Sequence, residues 1–262
     1  VTTVSLFQGP DSPDGIVDAI DAAARAAAAA GARILVCPEM SATGYNIGHL
    51  IVERAEPADG PIAAAMADIA RANDTAIVYG YPELADGAVY NSVRVIDRDG
   101  TALLNYRKTH LFGDLDRDHF TPGDTLVAQF DLDGIRCGVL VCYDVEFPEA
   151  VRAHADSGTE WLIVPTGLMT PYDLVATQVV PARAYESQMF VTYVNRCGVE
   201  NGLEYVGLTC AIAPDGTELA RAGRGEQLLT FDLDPAVVAS SRGVNTHLDD
   251  RRPDLYEQER TR

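Results

Sequence analysis

Lysine is nearly missing from this 262-residue chain: Lys108 stands alone against nineteen arginines. Positive charge is short overall, with 20 basic residues against 39 acidic ones and a formal charge of −19. That balance disfavours nucleic acid and anionic membrane as partners and modestly attracts cationic solutes. No run of 18 apolar residues occurs, which argues against a membrane span. The alanine-rich stretch Ala22–Ala30 is preceded by acids and sits behind a strand, so it reads as helix and no targeting signal is recognised. Five cysteines, an odd and small number, fit reduced thiols in a cytoplasm better than a disulfide framework. No linker rich in proline, glycine or serine divides the chain, so one domain spanning 1–262 is expected.

What is present is a set of short apolar strands that stop on reactive residues. Arg33–Cys37 reads as a fully buried strand ending at Pro38-Glu39, and Thr101–Arg107 as a strand terminating at Lys108. Gly134–Pro148 begins at the Asp133-Gly134 turn, runs as an apolar strand to Cys142, and opens a helix at Pro148. Strands are also expected at Thr3–Gln8, Ala76–Tyr81, Tyr90–Ile96, Trp161–Pro165, Phe190–Cys197, Leu208–Ala213 and Gln227–Asp232. Asp11–Asp14 is a turn and cap cluster ahead of the alanine-rich helix, and further helices begin at Pro61 and near Thr177. Leu111–Gly123 reads as polar loop. The charged stretch from about 243 to 262 lacks periodicity and reads as an extended arm on a neighbour or on the domain surface. Two helix–strand halves of this kind suggest an α/β chain with a two-sheet core and helices outside.

A thiol at a strand end beside a helix start is exposed to a crevice, where backbone N–H groups and the helix dipole favour thiolate. An acid, an ammonium and a thiol together suit covalent hydrolysis of an acyl–nitrogen bond. The thiolate attacks, the carboxylate moves the proton to the leaving amine, and the ammonium faces the oxyanion. The isolated lysine adds to this, since a planar guanidinium cannot replace a compact ammonium in a small pocket.

Three blocks then resemble the signatures of the nitrilase (carbon–nitrogen hydrolase) superfamily: Cys37-Pro38-Glu39-Met40 with Gly44-Tyr45, Tyr106–Leu111, and Cys142–Glu149. Arg152, Val164-Pro165-Thr166, Arg183 with Glu186, Asn195–Gly198 and Pro214-Asp215-Gly216 match later landmarks in the same order. The resemblance implies a four-layer αββα sandwich that pairs into homodimers or higher homo-oligomers, with no metal or organic cofactor. It implies a catalytic triad of Glu39, Lys108 and Cys142, with the backbone N–H of Tyr143 sharing the oxyanion with Lys108. A second glutamate is usual eight residues after the lysine; here that position is Asp116, one methylene shorter. It is expected to keep its role through a tighter loop or a bridging water. Ser187 stands where the family usually has Asn.

Several stretches, among them Gly44–Gly48 and Met169–Asp173, are most similar to amidases of the 5-aminopentanamidase type. The implied substrate is a small primary amide, aliphatic or ω-amino, hydrolysed through a thioester. Nitrilase or N-carbamoyl amide hydrolase activity would use the same triad, and a non-catalytic assembly subunit is the alternative of a different class. Tyr45, Glu146, Thr166, Met169, Tyr172 and Asp173 are the substrate-binding candidates, with Asp173 the counter-charge for a cationic substrate. Asp144, with Glu146, is also expected to brace the turn at Cys142.

Overall fold

The computed structural model describes residues 1–9 and 15–260, so the cap cluster expected at Asp11–Asp14 lies outside the described residues. The chain begins β1 (Thr2–Gln8), α1 (Ile16–Ala29), β2 (Ile34–Val36), α2 (Leu50–Glu53), α3 (Pro61–Asn73), β3 (Ala76–Ala85), β4 (Ala88–Ile96) and β5 (Ala102–Arg107). It continues through α4 (Gly113–Arg117), β6 (Gln129–Leu132), β7 (Ile135–Val139), α5 (Pro148–Asp156), β8 (Trp161–Thr166), α6 (Val180–Ser187) and β9 (Phe190–Asn195). Last come β10 (Val199–Glu200), β11 (Leu203–Glu204), β12 (Cys210–Ile212), β13 (Glu218–Arg221), β14 (Gln227–Leu233), α7 (Ala236–Val244) and α8 (Pro253–Arg260).

These strands form two six-stranded sheets, ordered β14-β1-β2-β3-β4-β5 and β13-β12-β9-β8-β7-β6. Each is mixed: β1, β2 and β3 are parallel in one, β7, β8 and β9 in the other, with antiparallel strands at the flanks. Side-chain alternation makes the layers. Ile34, Val36, Ala76 and Val78 point into the core shared with the second sheet, while Leu35, Cys37, Ile77 and Tyr79 pack on α1 and α3. Helix α1 supplies Ile16, Ile20, Ala23, Ala24 and Ala27 to that outer layer at helical spacing. On the second sheet, Ala150 and Val151 of α5 and Val180 and Ala184 of α6 close the fourth layer. The result is the expected α/β sandwich of two mixed sheets with flanking helices. Glu39 and Cys142 follow the C-terminal ends of the parallel strands β2 and β7, where open α/β sheets expose side chains to a crevice, and Lys108 follows the antiparallel edge strand β5.

Three sequence-based boundaries are corrected. Strand β7 ends at Val139, three residues before Cys142; the chain stays extended through Val141, and the left-handed Cys142 (φ 47°) then turns it away. Leu111–Gly123 contains α4, a short helix that carries the fully buried Asp116. The extended arm holds the end of α7 and all of α8, whose charged sequence has no apolar stripe to announce it. Arg251 ties the segment ahead of α8 to Asp156 of α5.

One buried group in this frame makes stability depend on pH. His154 on α5 is fully buried with Nδ1 3.1 Å from the Thr159 hydroxyl, and burial lowers its pKa from 6.5 to about 4. The unfolded chain therefore takes up this proton more readily than the folded one. The stability contributed by neutral His154 is full above pH 6.5 and is lost as pH falls toward 4. Urea denaturation at pH 7 and pH 4.5 is expected to differ by about 2.5 kcal/mol from this group, and His154→Gln removes that part of the slope. An unchanged slope in the variant would assign the acid sensitivity to other groups.

Candidate active site

Lys108 leaves β5 and is 1% exposed, so its ammonium survives in the interior only by direct pairing. Nζ donates to Glu39 Oε1 at 2.8 Å and to Asp116 Oδ2 at 2.7 Å. Burial disfavours the ammonium, but Glu39, Asp116 and Cys142 together hold its pKa well above the ordinary value. Asp116 reaches the lysine directly, with no bridging water needed. The turn that starts α4 brings it close, with the Phe112 N–H donating to Oδ2 at 2.8 Å, and the Tyr45 hydroxyl occupies Oδ1 at 2.8 Å. Every oxygen of Asp116 is thus used by the protein.

Glu39 differs in this respect. Oε1 accepts both Lys108 and the Asn91 side-chain amide, the latter at 2.7 Å, whereas Oε2 is fully buried with no hydrogen-bond partner among the described residues. Burial raises the pKa of this carboxyl; Lys108 offsets part of the rise and Asp116 adds to it. Burial sets that direction, since taking the carboxylate out of water disfavours its charged form more than the neighbouring ammonium restores it.

Cys142 opens a single 3₁₀ turn, Cys142–Glu146, from a left-handed conformation that costs a non-glycine residue about 1–3 kcal/mol. Asp144 holds this turn. Its Oδ2 accepts the Val141 N–H at 3.0 Å and the Tyr106 hydroxyl at 2.9 Å, while Oδ1 accepts the His110 N–H at 2.8 Å and the Thr109 hydroxyl at 2.9 Å. One carboxylate thereby joins the residues flanking Lys108 to those flanking Cys142. His110, stacked on Phe147 and bonded to Asp144 through Nδ1, belongs to this brace. The expectation of a favoured thiolate is corrected. Burial pushes the Cys142 thiol up, with Glu39 adding to the rise, and this outweighs Lys108, the Thr166 hydroxyl and the Gly167 N–H.

A cavity of about 250 Å³ opens onto Cys142 and is lined by Tyr45, Phe112, Tyr143, Glu146, Leu168, Met169 and Tyr172. Thr166 lies beside Cys142, fully buried, and bonds the Tyr193 hydroxyl at 2.9 Å. Asp173 is not part of this wall and is paired with Arg224, so it is not poised as a counter-charge. Glu146 is the carboxylate that faces the cavity, its pKa raised by burial and partly offset by Arg183 and Lys108. Asn91, Phe112, Gly167 and Leu168 were not singled out from the sequence. A polar Asn inside an apolar strand was the one available signal, and Gly167 allows Tyr45 and Glu39 to approach: a Cβ there would lie 2.9 Å from the Tyr45 ring and 3.2 Å from Glu39 Oε2.

The tight fit around Lys108 gives a direct expectation. Lys108→Arg should lower turnover by at least about 10², the scale of one lost oxyanion donor. Overpacking should destabilise it by about 1–3 kcal/mol, read from steady-state rates and urea denaturation. Turnover within tenfold of the parent would show that a compact ammonium is not required.

Among the described residues no helix is long and apolar enough to cross a membrane, and no group of three or more His, Cys, Asp or Glu side chains could hold a metal ion. Residues 3–242 match the carbon–nitrogen hydrolase family. The chain is 46% identical over 97% of its length, and 90% of the relative's, to a protein of Pseudomonas protegens described as a hydrolase in the pqqF 5′ region. It is 38% identical to an (R)-stereoselective amidase of a Pseudomonas species, over 84% of this chain and 79% of that one. In three dimensions it is similar to the amidase of Nesterenkonia sp. AN1, with TM-score 0.88, 30% identity and coverage of 98% and 99% of the two chains. One form of that amidase shows Michael addition of acrylamide at its active-site cysteine, and another is in complex with butyramide. The signatures, the two-sheet sandwich and these relationships agree: the chain belongs to the carbon–nitrogen hydrolase family, whose amidases it resembles, and is a cysteine-dependent hydrolase acting on carbon–nitrogen bonds.

Proposed function

We propose that the chain hydrolyses a small primary amide to a carboxylic acid and ammonia through a thioester on Cys142. The unpartnered Oε2 of Glu39 carries this reading, since a buried acceptor without a donor suits a group that receives a proton during the reaction. Glu39 takes the Cys142 proton as Sγ attacks the carbonyl carbon, and the tetrahedral oxyanion is met by Lys108 Nζ and the Tyr143 backbone N–H. The first N–H groups of a helical turn lack partners within it, so that amide suits the role. Glu39 then gives the proton to the departing nitrogen, the C–N bond breaks, and ammonia leaves. Water attacks the thioester with its proton going to Glu39, and collapse of the second tetrahedral species returns the proton to sulfur. Asp116 acts by holding Lys108 charged and oriented.

The cavity supports a short acyl chain, and the butyramide held by the Nesterenkonia amidase is of that size. Phe112 meets both Tyr143 and Tyr172 edge to face, with centroids 5.3 and 5.9 Å apart. Aromatic walls together with the Glu146 carboxylate suit an acyl chain ending in an ammonium. The test is ammonia release from 5-aminopentanamide beside propionamide. Glu146→Gln is expected to raise KM for the amino amide about tenfold, or ~1.4 kcal/mol, and to leave propionamide unchanged. Equal effects on both substrates would remove the ω-amino preference and leave the amidase reading intact; no ammonia from any primary amide would remove the amidase reading itself.

A further inference from the structure

Behind the reacting groups lies a buried ion pair that the reaction scheme does not use. Arg196 and Glu200, 3% and 5% exposed, meet at 2.9 Å where the chain leaves β9 and enters β10. Neither reaches the cavity at Cys142. Both side chains also bond one segment, residues 39–46, which carries two site residues.

Arg196 grips the start of that segment. Its Nη1 donates to the backbone carbonyls of Glu39 at 3.4 Å and of Met40 at 3.3 Å. Met40 has φ 51°, a left-handed conformation that a non-glycine residue holds only when its surroundings fix it. The same Met40 carbonyl accepts the Gly44 N–H at 2.9 Å, which closes the loop on itself.

Glu200 grips the other end. Its carboxylate accepts the Tyr45 N–H at 3.1 Å and the Asn46 N–H at 2.6 Å, and the Tyr205 hydroxyl fixes it from behind at 2.6 Å. A Cβ on Gly44 would come within 2.8 Å of Glu200 Oε1, so this loop residue has no side chain where the carboxylate presses against it. Tyr45 in turn holds Asp116 Oδ1 at 2.8 Å, and Asp116 holds Lys108.

We infer that the Arg196–Glu200 pair is a positioning device that sets the general base Glu39 and the Tyr45–Asp116–Lys108 chain in register with Cys142. Discarding one partner of a buried pair leaves an uncompensated charge, so loss of stability alone would not distinguish this role from a structural one. Distinction comes from coupling. If Glu200 acts through Tyr45, the effect of Glu200→Gln is contained in that of Tyr45→Phe, and the two do not add. Arg196→Lys keeps the positive charge beside Glu200 but loses the fork that reaches the carbonyls of Glu39 and Met40.

The inference rests on the assignment of Glu39 and Lys108 as partners of Cys142, and its test is read on the thiol so that no amide substrate needs to be known. The second-order rate of Cys142 alkylation by iodoacetamide is measured by intact mass at pH 7.5, with Cys142→Ser as the blank for other thiols. A misplacement of the base by about 1 Å is expected to slow alkylation by about 10–100-fold in Glu200→Gln and in Arg196→Lys. Glu200→Gln combined with Tyr45→Phe should be no slower than the slower single variant, within about twofold. Rates within twofold of the parent, rates that multiply in the double variant, or a failure of both single variants to fold would overturn the inference and leave the pair a structural role. Failure of the reaction scheme has a different signature: Glu39→Gln with undiminished alkylation.

Discussion

Cys142→Ala is expected to reduce amide turnover by about 10⁶, the scale at which removing a nucleophile leaves only binding and the oxyanion site. The methyl group occupies the same corner after β7, and the surrounding bonds survive because Asp144 holds the turn through Val141, Tyr106, Thr109 and His110 rather than through the thiol. Folding should therefore be retained. Removing a buried sulfur at a strained left-handed position changes the melting temperature by only a few degrees, a shift of about 1 kcal/mol. The measurement is ammonia release by the purified variant at substrate concentrations above KM, beside a thermal melt. Activity within a hundredfold of the parent, in a preparation free of parent enzyme, would place the nucleophile elsewhere.

Glu39→Gln carries the second largest expectation, a loss of about 10²–10⁴ in kcat, toward the upper end because the proposed scheme has one carboxylate move protons in both half-reactions. The amide side chain can keep Asn91 and Lys108 on its oxygen, but its NH₂ would fall where Oε2 lies and cannot accept a proton. Stability should move the other way. Burial and Asp116 raise the Glu39 pKa despite Lys108, so the folded chain holds this proton more tightly than the unfolded one. Ionising Glu39 then costs stability as pH rises above 4.5 through the higher folded value. Glutamine removes that cost and leaves one ammonium facing one carboxylate. At pH 8 the variant is expected to melt no lower than the parent, while near pH 4 the two should coincide. A variant that loses activity and stability together at pH 8 would reassign Glu39 to structure.

Much of this was legible in the chain itself, for a physical reason. Parallel strands buried on both faces read as short continuous apolar runs, and β2 and β8 announce themselves that way. Glu39, Lys108 and Cys142 follow β2, the antiparallel edge strand β5 and β7, so the sheet order converts local patterns into a common location. The lone lysine sharpened it. The boundaries failed where backbone geometry, not hydropathy, decides. The left-handed turn at Cys142 looks like more strand, and α4 is too short and polar to show helical periodicity.

The supporting residues were hidden more deeply. Asn91 sits inside β4 and meets Glu39 across 52 positions; Glu200 meets Tyr45 across 155. Nothing local in a sequence marks such pairs, because their partners are backbone N–H groups or a carboxylate delivered by another strand end. Asp116 is implied by the family resemblance alone, and its direct 2.7 Å contact shows how a shorter acid reaches when its own helix turns it inward. Charge misled in one place. Asp173 reads from the sequence as available for a cation but is paired with Arg224, whereas Glu146 faces the cavity without an ion-pair partner of its own among the described residues.

In the proposed reaction the acyl group passes through Cys142 as a thioester. Partitioning by hydroxylamine tests it most directly. Propionamide and a propionate ester, turned over in the same hydroxylamine concentration, should give the same ratio of hydroxamate to acid, since both pass through one acyl-enzyme. Ratios that differ between the two substrates, or hydrolysis with no hydroxamate formed, would contradict a shared thioester and point to direct attack by water.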